Sequence, residues 1–164
     1  MEALISIALR LTGKKVGFRP QTWVQDESTI LVPEGDEEGL LHELLHYVVA
    51  SDEERQWPNL ALDEDDVEQT NPMLPEEEQL QDWVSETPVR REYQVSHLTH
   101  KTYALRSWKT PRGSAAWSYN KFTEEDIRWA DVRLSKSGTS LEELSAALVT
   151  GRSLYGPESY PSPL

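Results

Sequence analysis

Residues 36–50 read DEEGLLHELLHYVVA, and this stretch decides the fold. Leu40, Leu41, Leu44, Leu45, Tyr47, Val48 and Val49 recur with helical spacing and cover most of the circumference, so a buried helix is expected to start near Asp36. Glu38, His42, Glu43 and His46 share the remaining stripe, with only Val49 intruding. Polar side chains on a buried helix need partners, because an unpaired one costs a few kcal/mol, roughly. His42-Glu43-Leu44-Leu45-His46 names such a partner. Positions four apart differ by about 40° around a helix, so both imidazoles leave one face about a turn apart. That spacing lets two ring nitrogens reach one divalent ion at ~2.1 Å. Glu43 lies about 100° round from His42, beside the ion rather than on it, where it can take a proton from water. The competing reading is a chance match with histidines satisfied by ordinary core partners.

Working outward, Leu4, Ile5, Ala8, Leu9 and Leu11 predict a helix over 2–12, stopped at Gly13. QTWVQ at 21–25 and STILVP at 28–33 read as two strands of a hairpin joined through Asp26-Glu27. Beyond the central helix, Ser51 and Glu54 form a capping box for a short helix ended by Pro58. PNLALDEDDVEQTNPML at 58–74 reads as a loop, and its DEDDVE lacks the central glycine and terminal bidentate glutamate of an EF-hand. A further helix fits PEEEQLQDWVSE, with Pro75 at its first position and Glu76–Glu78 in its first turn. Residues 89–122 fit helix and extended chain equally. Thr123 and Ser140 should cap two more helices, with Gly151 closing the second. The expected architecture is one metal-binding α+β domain over residues 1–155 and a Pro-rich tail over 156–164.

Composition narrows the function classes. The 164 residues include no cysteine, which excludes a disulfide scaffold, a thiolate nucleophile and a Cys-type zinc finger. No apolar run approaches the ~18 residues of a membrane span, and Arg10 interrupts MEALISIAL, so the start reads as an amphipathic helix rather than a signal peptide. A cytoplasmic protein without a membrane partner is expected. The net charge of −13 is uneven: residues 21–89 hold 20 acids and the single base Arg55. Such a half disfavours nucleic acid as a partner. Residues 90–122 carry Arg90, Arg91, Lys101, Arg106, Lys109, Arg112 and Lys121 against Glu92 alone, interleaved with aromatic residues. That mix is read as a basic face pairing with the acidic half rather than as a nucleic-acid surface. His97 and His100 are candidates for substrate binding near the site. Oligomeric state is not legible.

With helix, hairpin and then HELLH, the first 50 residues resemble the minimal core of zincin-type metalloproteins. That resemblance implies that STILVP lines the cleft and holds extended peptide, and that a third ligand completes the site. A metzincin-type ligand would be Asp52, but Val49 replaces the turning glycine and Ser51 puts Asp52 in a helical first turn. A gluzincin-type ligand is a glutamate from a later helix. Leu80, Trp83 and Val84 define the core face of PEEEQLQDWVSE; Glu76 and Glu77 lie within about 60° of Leu80 and Glu78 nearly opposite. Glu76 is therefore the first choice and Glu77 the alternate.

A closer resemblance, over roughly residues 28–98, is to the elongation factor P hydroxylase family. It rests on HELLHY, Ala50, Arg55, PNLAL, Gln79, Asp82-Trp83 and Tyr93-Gln94-Val95-Ser96. There the third ligand falls at Pro75 without a gap and at Glu76 after a one-residue shift, and the C-terminal third is unlike that family. Three functions follow as expectations. The leading one is a zincin-type metallohydrolase acting on a protein or peptide, with zinc on His42, His46 and Glu76 and with Glu43 as general base. The second is an iron-dependent protein hydroxylase using the same ligands with dioxygen. The third is a non-catalytic acidic binding or inhibitory protein with a structural metal.

Overall fold

A computed structural model describes residues 1–56, 84–110 and 123–154. Its elements run α1 (Glu2–Thr12), β1 (Lys15–Phe18), β2 (Val24–Gln25), β3 (Thr29–Val32), α2 (Glu37–Val49), a 3-10 turn (Glu54–Gln56), α3 (Val84–Ala104), α4 (Glu124–Lys136) and α5 (Leu141–Ala147). The fold is mixed α+β, with a three-stranded sheet and helices dominant among the described residues. No helix among them is long and apolar enough to cross a membrane. The loop read at 58–74, Pro58, Glu76–Glu78 and the tail at 156–164 lie outside the described residues. Of the helix read over PEEEQLQDWVSE, only the end from Val84 is described, as the first turn of α3.

The N-terminal elements follow the sequence closely. α1 ends at Gly13, whose φ of 71° is the left-handed value that glycine adopts without strain, with its N–H on the Leu9 carbonyl. Its buried face is Leu4, Ile7 and Ala8, while Leu9 is exposed. The hairpin is present: Asp26 Oδ1 accepts the N–H groups of Ser28 at 2.9 Å and Thr29 at 2.8 Å, turning β2 into antiparallel β3. Missing from the sequence reading is β1, which pairs parallel with β3 from Lys15↔Thr29 to Phe18↔Val32. Its Lys-Val-Gly-Phe alternation is too short and too exposed to stand out. The sheet order is β1-β3-β2, so β3 is central and both its edges are hydrogen-bonded. The resemblance put an extended substrate on that strand, but its backbone groups are already spent on β1 and β2.

α2 is the core of the molecule. Every residue but Tyr47 is buried, and the helix packs against α1, α3, α4 and β3. Both ends are satisfied by side chains from elsewhere. At the start, Asp36 caps Gly39 N at 3.0 Å and accepts Trp23 Nε1 at 2.6 Å. Gly39 is needed there, because a Cβ would press on the Asp36 carboxylate and lie 2.8 Å from Trp23 Nε1. At the other end, Arg55 Nε donates to the Tyr47 carbonyl, Trp129 Nε1 to Val49 and Arg133 Nη2 to Ala50, at 2.9, 2.8 and 2.6 Å. Acids at the first turn and cations at the last complement the helix dipole.

The capping reading at Ser51 holds: Ser51 N donates to Glu54 Oε2 at 3.0 Å and Glu54 N to Ser51 Oγ at 3.2 Å, and a 3-10 turn follows within the described residues. Thr123 and Ser140 cap α4 and α5 as expected. Gly151 does not close α5. The helix stops at Ala147, because the chain unwinds to present the N–H groups of Val149, Thr150 and Gly151 to the buried Glu37 carboxylate at 2.7–2.9 Å. The ambiguous stretch from residue 89 resolves as helix through Ala104.

Beneath the sheet lies a buried cation. Lys14 is 4% exposed, donates to Gln25 Oε1 at 3.0 Å and sits 5.2 Å from the Tyr47 ring centroid. Burial is the main cause that brings its ammonium from 10.5 down to about 8. Above about pH 8 the folded chain therefore holds fewer protons at this site than the unfolded chain, and stability rises with pH until the unfolded lysine also titrates near 10.5. Urea unfolding from pH 7.5 to 10 should show the wild type gaining stability relative to Lys14→Met. Parallel pH profiles for the two proteins would contradict the burial of a charged Lys14.

Candidate metal centre

α2 presents His42 and His46 on one face, as their spacing requires, and both are 4% exposed. Their Nε2 atoms lie 3.2 Å apart. The carboxylate that meets them comes from α3: Glu92 Oε1 is 2.8 Å from His46 Nε2, and Glu92 Oε2 is 3.5 Å from His42 Nε2. Among the described residues these three are the group of side chains able to hold a metal ion. A tetrahedral ion with ligands at about 2.1 Å needs donors about 3.4 Å apart, and the triangle is close to that size. Two imidazoles and a carboxylate fit zinc and iron alike. Metal identity is not fixed by the donor set.

The electrostatics agree with three mutually dependent groups. Burial alone would raise the Glu92 carboxyl, but the His46 and His42 imidazoles outweigh it and hold Glu92 well below the usual carboxylate range. Burial likewise disfavours a charged His42, yet Glu92, Glu38 and Glu43 lift that imidazole to about 9. The site therefore attracts a cation at neutral pH. A divalent ion competes with the proton for the same nitrogens.

Glu43 lies on the same buried helix and is not one of the three residues of the cluster. It is 2% exposed, and burial raises its carboxyl above the ordinary value against the opposing pull of His46 and His42. Its Oε1 finds no hydrogen-bond donor among the described residues. A buried acceptor without a donor is costly, so this oxygen calls for a partner beyond those the described residues supply. Its backbone is fixed from behind, where buried Gln25 donates from Nε2 to the Glu43 carbonyl at 2.5 Å.

α3 is locked in rotation by a polar network on either side of Glu92. Arg91 makes a two-pronged contact with Glu54, Nε to Oε1 at 2.7 Å and Nη2 to Oε2 at 3.0 Å, and its guanidinium lies 4.3 Å from the Trp129 ring centroid. Arg91 Nη1 also reaches Gln94 Oε1 at 3.1 Å. Gln94 and Arg90 both bond Asp126, at 3.1 and 3.0 Å, and Asp126 is the capping-box residue of α4. Of the basic stretch, then, Arg91 pairs with the acidic half as expected, whereas Arg90 pairs with Asp126 and Arg106 bonds the Ser145 and Leu148 carbonyls at 2.8 and 2.6 Å.

Glu76 and its alternate Glu77 lie outside the described residues, and the carboxylate brought to both imidazoles is Glu92. The signal for Glu92 was its isolation: it is the one acid between residues 90 and 122. His97 and His100 do not join the triangle. His97 lies 3.7 Å from Asp131 of α4, and His100 Nδ1 is 2.8 Å from Thr110 Oγ1.

Zinc titration with elemental analysis separates the two third ligands. Glu92→Ala should lose at least tenfold in zinc affinity and His46→Ala should lose stoichiometric binding, while Glu76→Gln and Glu77→Gln bind as the wild type does. Loss in either of the latter with retention in Glu92→Ala would move the ligand to the earlier stretch. No family model, no curated protein and no solved structure matches the chain, so its reading rests on the geometry of these residues.

Proposed function

We propose that this protein is a metal-dependent hydrolase of zincin type, acting on a protein or peptide, with His42, His46 and Glu92 as ligands and Glu43 as general base. The observation that carries the reading is the pairing of a complete ligand triangle with a buried carboxylate oxygen, Glu43 Oε1, that lacks a donor among the described residues. A structural zinc site would be closed by a fourth protein ligand, whereas three protein ligands with an open position are the catalytic pattern, and the group among the described residues is of three. The order helix, hairpin, HExxH helix, with a glutamate ligand from a later helix, supports the gluzincin-like form of the reading.

A divalent ion at the triangle supplies Lewis-acid polarisation of a substrate carbonyl. The chain's own part is proton handling and placement. Glu43, kept more basic than an ordinary glutamate by burial, accepts the proton of the attacking water and returns it to the leaving amine. Gln25 keeps that segment of α2 in register with the sheet. Since β3 is paired on both edges, an extended substrate adds instead along β2 (Val24–Gln25), an edge strand of the sheet whose Gln25 holds α2.

The test is a peptide-library digest with zinc-loaded protein. Glu43→Gln should keep about one zinc per chain and lose hydrolysis by at least about a hundredfold, in keeping with the usual weight of a positioned general base. Hydrolysis that survives the change would remove Glu43 from its role. Iron in place of zinc in protein purified without added metal, with no hydrolysis, would favour the hydroxylase reading over this one.

A further inference from the structure

On the hydrolase reading above, on which this rests, we propose that Lys14 is a positioning residue for the general base, acting on Glu43 through Gln25.

The backbone between α1 and β1 aims Lys14 inward. Gly13 turns left-handed at the end of α1, the Lys14 N–H bonds Thr12 Oγ1 at 3.0 Å, and Thr12 Oγ1 in turn donates to the Ala8 carbonyl at 2.7 Å. The side chain is buried, and its hydrogen-bond acceptor among the described residues is the neutral amide of Gln25, at 3.0 Å. A buried cation held by an amide adds little to stability, since desolvation of the ammonium opposes what the hydrogen bond contributes. Stability alone is therefore a poor reason for a lysine here.

The far end of the same amide supplies a better one. Gln25 is fully buried, and its Nε2 donates to the Glu43 carbonyl at 2.5 Å while its Oε1 accepts from Lys14. An ammonium only donates and a carbonyl only accepts, so one orientation of the amide serves both ends. Lys14 sets that orientation, and Gln25 passes it to the peptide carbonyl of the residue that carries the base. Charge acts along the same line. Glu43 supports the Lys14 ammonium, and Lys14 joins the two imidazoles in opposing the effect of burial on the Glu43 carboxyl. The other charged groups acting on Lys14 are Asp26 of the β2–β3 turn, which supports its charge, and Arg55 beyond α2, which opposes it. The Tyr47 ring of α2 lies 5.2 Å from the ammonium.

Two measurements on the full chain test this. With zinc bound and a peptide cleaved in the digest above as substrate, Lys14→Met should keep about one zinc per chain, hold KM within about twofold and lose at least about tenfold in kcat, the scale on which a displaced catalytic group loses rate. Gln25→Glu still accepts from Lys14 but no longer donates to the Glu43 carbonyl, and it should behave in the same way. The second readout needs neither activity nor a Lys14 variant. In protein without added metal, the Lys14 side-chain NMR signal should titrate near pH 8 in the wild type and at lower pH in Glu43→Gln, because Glu43 supports the ammonium. Either of the first two variants hydrolysing as the wild type does, or a Lys14 signal that titrates at one pH in wild type and Glu43→Gln, overturns the positioning role and leaves the hydrolase reading intact. A wild type that binds zinc and hydrolyses nothing overturns both.

Discussion

A helix that buries Glu37, Glu38, His42, Glu43 and His46 in thirteen residues constrains everything packed around it. Each of those groups is strongly hydrated in the unfolded chain, and each must find a partner in the fold or cost stability. The rest of the molecule can be read as the supply of those partners. Glu37 receives three backbone N–H groups from the chain beyond α5. Glu38 receives Ser153. The two imidazoles receive Glu92. Glu43 Oε1 finds no donor among the described residues, and a buried carboxylate oxygen left so beside two imidazoles is a place where chemistry is expected.

Supplying Glu92 sets the orientation of α3. A helix 21 residues long could rotate so as to bury a different stripe, and a rotation of one residue would carry the carboxylate about 100° away from the histidines. Glu54 on one side and Asp126 on the other prevent that by gripping Arg91, Gln94 and Arg90, which flank Glu92. The Arg91–Glu54 contact is largely buried and two-pronged, the geometry in which an ion pair specifies arrangement more than it adds net stability. Both anchors are themselves helix-starting residues: Glu54 answers Ser51, and Asp126 answers Thr123. Caps and cluster thus share residues, so the starts of two short elements fix where Glu92 lies.

How much of this was legible depended on range. Local signals were reliable: the period of Leu40, Leu41, Leu44 and Leu45 gave the buried helix, and Asp36, Thr123 and Ser140 marked helix starts that their side-chain hydrogen bonds realise. His42, Glu43 and His46 were legible for the same reason, since one helix places all three. Glu92 was not, because no local rule links residue 92 to residue 46, and its basic neighbours suggested a surface. β1 was hidden because its partner is β3 rather than an adjacent hairpin strand. The early end of α5 was hidden because Gly151 is a good local stop, and Glu37, more than 110 positions earlier, draws the preceding residues out of the helix.

The proposed function requires that two imidazoles from α2 and one carboxylate from α3 bind a single ion. X-ray absorption on protein loaded with one equivalent of zinc tests it most directly. The expected spectrum shows a first shell of about four nitrogen and oxygen donors near 2.0–2.1 Å, with the outer-shell scattering of two imidazoles. A first shell of six oxygens without imidazole scattering would contradict the claim. The histidines of α2 would then be core residues paired with Glu92.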